Sequence, residues 1–265
     1  MKATLKKEFL EVLRTGKFWI YLGTGIGIVF MAVMQFFMME ILLSFKGIAD
    51  QMAGMTAIFE MTYSNALIQY MSTMVLLFVI MVIIMTMRIV SKELRDKKWT
   101  LPICSGIKPS HMIASKLIVH TAAIAIAFIA ASLFHMILTV IFFTADISLL
   151  DVLYYYGMFL VFLIFITVLT ISLNAIIKIG WLTAVISVFI LIFVSSIFGM
   201  IPVGDSVLSN FSPFLFMDLQ GGIALGMSKK PWYEYLSASL STIVIMAGMI
   251  FWAIKSSKVS AENLK

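Results

Sequence analysis

The chain reads as an all-α integral membrane protein, and three observations predict it. Hydrophobic residues make up 62% of its 265 positions and charged residues only 12%, too little charge to cover a water-soluble domain of this length. Mean hydropathy is +1.08, concentrated in apolar runs of about 18 or more residues, the length of a bilayer-crossing helix. Lysine and arginine gather between alternate runs rather than evenly, as the bias toward positive cytoplasmic loops requires.

Six spans are expected, near Phe18–Phe45, Ala66–Met87, Leu117–Phe143, Val152–Ile177, Trp181–Met200 and Leu236–Ile254. No long linker interrupts the series, so residues 1–265 form one transmembrane domain. The fourth and fifth runs are separated only by Lys178–Gly180, a tight hairpin in which lysine and glycine suit a helix end. With the N-terminus inside, cytoplasmic segments hold five lysines or arginines up to Lys17, seven from Arg88 to Lys116, Lys178, and three from Lys255 onward. The outer segments hold only Lys46, Lys229 and Lys230. Both termini are therefore expected in the cytoplasm. The net charge of +6 is a topology signal and calls for no nucleic-acid partner; the lipid bilayer is the partner it implies.

Residues 1–17 contain Glu8 and Glu11, and the following apolar run is too long for the core of a secretion signal. Leu5, Phe9, Val12 and Leu13 share a helical face apart from most of Lys2, Lys6, Lys7 and Arg14. That predicts an amphipathic helix in the cytoplasmic interface, with Trp19 as a belt residue; the alternative is a merely basic tail. Within the first span, "GTGIG" (Gly23–Gly27) has glycines spaced by four, which let helices approach closely.

Residues 88–116 hold the densest charge. Arg88 to Lys98 extends the second helix out of the membrane. Pro102 and then "SGIKP" (Ser105–Pro109) break the helix, and Ser110 is positioned to cap a short helix, "HMIASKLI", leading into the third span. The expected result is a helix, a turn and a second helix that display charge; the plainer alternative is a solvated loop. Residues 201–235 mix Pro202, Gly204, Pro213, Gly221, Gly222, Gly226 and Pro231 with Phe211, Phe214, Phe216, Trp232 and Tyr233. Such a segment is too apolar for a free loop and belongs at the outer membrane surface.

Catalytic signals fail one by one. "GGIALGMS" (Gly221–Ser228) has Met227 where a phosphate-binding loop needs lysine. "VGD" (Val203–Asp205) has Pro202 where membrane aspartyl proteases carry a glycine. H-E-x-x-H and G-x-S-x-G do not occur. The chain is not expected to be an enzyme or to bind a cofactor or metal. Its single cysteine, Cys104, permits no intrachain disulfide or thiolate metal cage. Ionisable residues within the spans are few: Glu40, His120 and His135. Glu40 and His135 fall at similar depth in the outer half at 1.5 Å per residue, so they are a candidate polar pair along a translocation path. No midplane carboxylate array supports a proton-driven carrier.

This arrangement resembles the membrane subunit of an ABC-2 type exporter, a permease driven by a separate ATP-binding-cassette protein. Members have an N-terminal interfacial helix, six spans and an intracellular loop after the second. That loop reads as a charged run with Glu, then Gly-Thr and apolar residues, a turn, and a small residue followed by Lys at the third span. The counterparts here are Glu93, Thr100-Leu101, Ser105-Gly106 and Ser115-Lys116. Trp99 stands in place of the glycine, and the interval from Thr100 to Lys116 is slightly short. The likeness covers the architecture of essentially the whole chain.

The resemblance implies a permease in the bacterial cytoplasmic membrane that pairs with a second copy or a sibling. Two ATPase subunits, which bind the ATP and Mg, would grip the cytoplasmic loops. The expected contact residues are Glu93, Arg95, Asp96, Lys97, Lys98, Trp99 and His111, with Trp99 as a buried anchor. In the family, the stretch matching 201–235 forms short helices that dip into the outer leaflet; a surface-lying segment is the alternative. Scarce charge in the spans suits a hydrophobic or amphipathic cargo, a peptide or peptide antibiotic first and a drug second. The alternative function is a non-transporting membrane subunit for docking, sensing or immunity.

Overall fold

The computed structural model describes residues 1–43, 60–200 and 232–262, which are helical throughout apart from short connections. In chain order the helices are α1 (Lys2–Arg14), α2 (Lys17–Leu43), α3 (Tyr63–Thr73), α4 (Val79–Thr86), α5 (Ile89–Arg95), α6 (Thr100–Cys104), α7 (Pro109–Phe142), α8 (Leu149–Ile177), α9 (Gly180–Met200) and α10 (Trp232–Glu262). A single π turn, Met74–Phe78, joins α3 to α4. Among the described residues, five helical stretches are long and apolar enough to cross a membrane: Lys17–Leu42, Tyr63–Arg95, Pro109–Phe142, Leu149–Ile177 and Leu236–Ser257. The expected fifth span falls in α9, of which Gly180–Phe193 counts as a shorter apolar helix. These are the helices of a multi-pass membrane protein.

Why the helices outrun the apolar runs follows from their ends. Tyr63–Arg95 has 33 residues, about 50 Å of helix against a hydrocarbon core of about 30 Å. Its last turns therefore project beyond lipid. Expected residues 201–231 lie outside the described residues; α10 already begins at Trp232, so the tail of that outer segment is helical.

The core is organised on α8, which packs against α7, α9 and α10. Its most apolar window is 67% buried, against 17% in α10, so α8 is the central post and α10 presents most of its surface outward. Phe159, Phe162, Leu163 and Ile166 of α8 join Tyr70, Met74, Phe78 and Val82 and, from α7, Ile124, Ala127 and Phe128. At the end away from the charged segment, Tyr63 and Thr144 tie α3 to the α7–α8 connection: Tyr63 N donates to Thr144 O at 3.0 Å and Thr144 N to Met61 O at 2.8 Å. Ser148 caps α8 by accepting from Asp151 N.

Three local expectations are corrected by the packing. Gly23 and Gly27, the pair spaced by four, have nothing within 4 Å of an added Cβ among the described residues, and the close approach belongs to Gly25, whose Cβ would lie 3.0 Å from Ala131 Cβ. The α8–α9 hairpin follows the expectation, with Lys178, φ 63°, as the left-handed cap of α8 and Gly180 at the start of α9. Gly180 is required because a Cβ there would fall 2.5 Å from Arg88 Cγ and 3.2 Å from Met87 O. Pro102 does not break a helix but lies in the first turn of α6, where its missing N–H costs no bond. Ser110 does not cap either; Pro109 opens α7 with Lys108 as the N-cap residue, and α7 runs unbroken into the span.

The break after the second span is at Lys97. Its φ is 53°, and Lys98 N donates to Glu93 O at 2.9 Å while Lys97 N donates to Leu94 O at 3.1 Å. This is a Schellman closure with lysine at the left-handed position that glycine fills without strain. Lys97→Gly is expected to stabilise the fold by about 1 kcal/mol, read as a raised unfolding temperature in detergent; an unchanged or lowered value would show that the turn carries no strain.

Candidate functional site

The chemistry of the described residues converges where α1 meets the charged segment. The helix α1 turns Thr4, Glu8 and Val12 into the protein, while Phe9 of its apolar face is exposed, so an acidic side chain points inward. The reason is Lys116, on α7 near its charged end. Its ammonium, 1% exposed, lies 2.9 Å from Glu8 Oε1 and 2.8 Å from Glu93 Oε2. A buried lysine needs a carboxylate, and the sequence supplies two from elements far apart in the chain.

Glu93 also accepts from Trp99 Nε1 at 2.8 Å and from Lys7 Nζ at 3.3 Å, and Lys7 lies 3.7 Å from Glu8 Oε1. Two ammoniums and two carboxylates make the cluster formally neutral. Burial raises the pKa of the Glu8 carboxyl, with Lys116 opposing. At Lys7 burial works to lower the pKa, but Glu93 and Glu8 outweigh it and the ammonium is held above its ordinary value. Glu8, Glu11 and Glu93 bring carboxylate oxygens within 4.8 Å of one another, yet Lys116 and Lys7 already occupy the space a cation would take there. Around the cluster, Trp99 is fully buried with Ile89, Val90, Met112, Ile113 and Leu117.

A second polar device holds the base of the segment. The turn at Met87–Arg88 frees the first N–H groups of α5, and Asn174 of α8 supplies the missing acceptor. Its Oδ1 accepts from both Val90 N and Ser91 N at 2.9 Å. Its Nδ2 donates to Ser91 Oγ at 3.1 Å and Thr183 Oγ1 at 3.3 Å. The N-cap oxygen of α5 thus comes from another helix.

The sequence-chosen contact residues divide accordingly. Glu93 and Trp99 face inward and serve the cluster, which corrects the expectation that Trp99 is an anchor for a partner. Arg95, Asp96 and Lys98 have side chains 78%, 36% and 55% exposed, and Lys97 is exposed beside them. His111 is half-buried in the first turn of α7. The apolar side chain offered at the tip is Leu101, 82% exposed.

The Glu40–His135 pair does not form. Glu40 is exposed, whereas His135 is buried, with Nδ1 2.6 Å from Tyr156 Oη and its ring stacked on Tyr70 at 4.2 Å. Depth along a helix fixed their height but not their azimuth. Glu8, Lys7 and Asn174 were missed as site residues. A signal existed for Lys116 and Asn174: each is a polar residue set inside an apolar stretch, and each therefore demands a partner.

Comparison with protein-family models and with curated proteins finds no match for this chain.

Proposed function

We propose that the chain is the permease subunit of an ABC-2 type exporter, with both termini in the cytoplasm and with ATP hydrolysed by a separate partner. The observation that supports this reading most is the ion cluster. It fastens α1 to both ends of the charged segment, Glu93 at its start and Lys116 at its finish. A push on the tip between them is carried by buried ion pairs into α1 and directly into the spans α4 and α7. The exposed part of the segment carries Arg95, Lys97 and Lys98 and the protruding Leu101, the combination of charge and an apolar side chain from which docking surfaces draw specificity and affinity. The cargo follows the composition of the helices: hydrophobic or amphipathic, a peptide ahead of a drug. A second permease copy or a sibling would complete the path.

The test is co-purification with the ATP-binding-cassette protein encoded beside this chain, comparing wild type with Leu101→Asp plus Lys98→Glu. Both positions are solvent-facing, so the variant keeps its fold. At least a tenfold loss of ATPase capture, the scale of a lost central contact, is the expected result. Capture of no ATPase by either form, or equal capture by both, removes the exporter mechanism; in the first case a docking or sensing subunit takes its place.

A further inference from the structure

At the same end of the bundle, a cavity of about 550 Å³ opens between α5 and the α8–α9 hairpin, lined by no residue of α1. Four cations line it, Arg88, Lys92, Arg95 and Lys178, together with Gly180 and Trp181, and no carboxylate does. The spacing of Arg88, Lys92 and Arg95 puts three of them on one helical face. The left-handed turn at Lys178 brings the fourth from another helix. Among the described residues, Arg95 has the one ion-pair partner of the four, Asp96 at 3.8 Å. Gly180 begins α9, whose first N–H groups have no acceptor within the helix, so the positive end of that helix adds to the lining. Four like charges gathered around a cavity repel one another, and an anion there relieves the repulsion.

What lies next to the cavity distinguishes a lipid from a free anion. Trp181, Val185, Phe189 and Ile192 are all exposed and follow at intervals of four, four and three, one continuous apolar stripe leading from the cavity along α9. Charge thus sits at headgroup level and a greasy track runs from it toward the bilayer interior, with Trp181 at the boundary where tryptophan prefers to lie. Basic pockets between membrane helices are suited to anionic headgroups. We propose that this cavity holds the phosphate headgroup of an anionic phospholipid, with its acyl chains laid along the Trp181–Ile192 stripe of α9. The bound lipid joins α5 to the α8–α9 hairpin across a gap that protein side chains leave open, and so braces the base of the charged segment. The inference does not depend on an ATPase, so it stands or falls separately from the exporter reading.

The experiment uses the full-length chain in non-ionic detergent, titrated separately with phosphatidylglycerol, phosphatidylcholine and inorganic phosphate, with bound species read by native mass spectrometry. Phosphatidylglycerol is expected to be retained in preference to phosphatidylcholine, and Lys92→Gln plus Lys178→Gln to weaken its binding about 30-fold. The charge-matched control Lys2→Gln plus Lys6→Gln, on α1, is expected to bind as wild type does. Equal retention of the two lipids overturns the proposal, as does equal binding by the cavity and control variants. Inorganic phosphate binding as tightly as phosphatidylglycerol overturns it in favour of a free-phosphate site.

Discussion

Lys116→Met is expected to destabilise the chain by about 3–5 kcal/mol, because it leaves the carboxylates of Glu8 and Glu93 buried without their shared counter-ion. Methionine matches the lysine stem in volume, so packing is preserved and the electrostatic loss is isolated. Lys7 offers little rescue: its side chain is 48% exposed and it already stands 3.3 Å from Glu93. Thermal or denaturant unfolding in detergent measures the effect. The triple variant Lys116→Met, Glu8→Gln, Glu93→Gln is expected to recover much of the loss, since both buried carboxylates go together with their counter-ion and the one charge left, Lys7, is 48% exposed. A single variant within 1 kcal/mol of wild type would mean that water reaches the cluster and that α1 is not fastened by it. A second readout follows from the geometry: if the cluster holds α1 down, protease cleavage between Arg14 and Lys17 should quicken in Lys116→Met before global unfolding.

Asn174→Leu is expected to cost about 2–4 kcal/mol, for two buried N–H groups lose their acceptor at once and each unsatisfied donor costs about 1–3 kcal/mol. The effect should be local before it is global. Hydrogen exchange at the Val90 and Ser91 amides is expected to accelerate, while amides in the middle of α8, around Ile166, stay protected. Unaltered exchange at Val90 and Ser91 would show that the turn at Met87–Arg88 finds another acceptor, and the role of Asn174 as a borrowed cap would be withdrawn. The neighbouring hydroxyl sharpens the test: Thr183→Val removes the contact to Nδ2 and a donation to Ile179 O but leaves both bonds to Asn174 Oδ1, and is expected to cost less than Asn174→Leu.

Much of the fold is legible in the residue order because lipid imposes a simple rule. A stretch such as Val152–Ile177 has nowhere to put its side chains but in hydrocarbon or a protein core, and in either place its backbone must satisfy its own hydrogen bonds as a helix. The observed α8, Leu149–Ile177, departs from that expectation only by one turn at its start, where Ser148 caps it. The same reasoning recovers α2, α7 and the helical stretch from Tyr63 to Thr86. It does not say which face turns inward. Gly23 and Gly27 looked like the packing pair, yet Gly25 between them makes the contact, because the rotation of α2 is set by Ala131 and Phe78 on other helices.

The site was legible in place but not in composition. Residues 88–116 stood out by charge, and the structure gathers the buried ion cluster there. Which charges project could not be read from the segment, because the answer lies outside it. Glu93 turns inward to meet Lys116 and Lys7, Trp99 turns inward to donate to Glu93, and Leu101 is left at the tip. A local view favours the largest aromatic as the partner's anchor; the fold uses it to seal an ion cluster.

The sequence by itself determined that this is a helical membrane protein and roughly where its helices run. These depend on the transfer free energy of each residue and on backbone hydrogen bonding within one segment, both of which are local properties. Only the tertiary structure decided that Glu8, Glu93 and Lys116 share one buried ion cluster, that Asn174 caps a helix not its own, and that Glu40 and His135 stay apart. Those outcomes depend on the azimuth of each helix about its axis, and azimuth is fixed by the combined packing of neighbours far away along the chain.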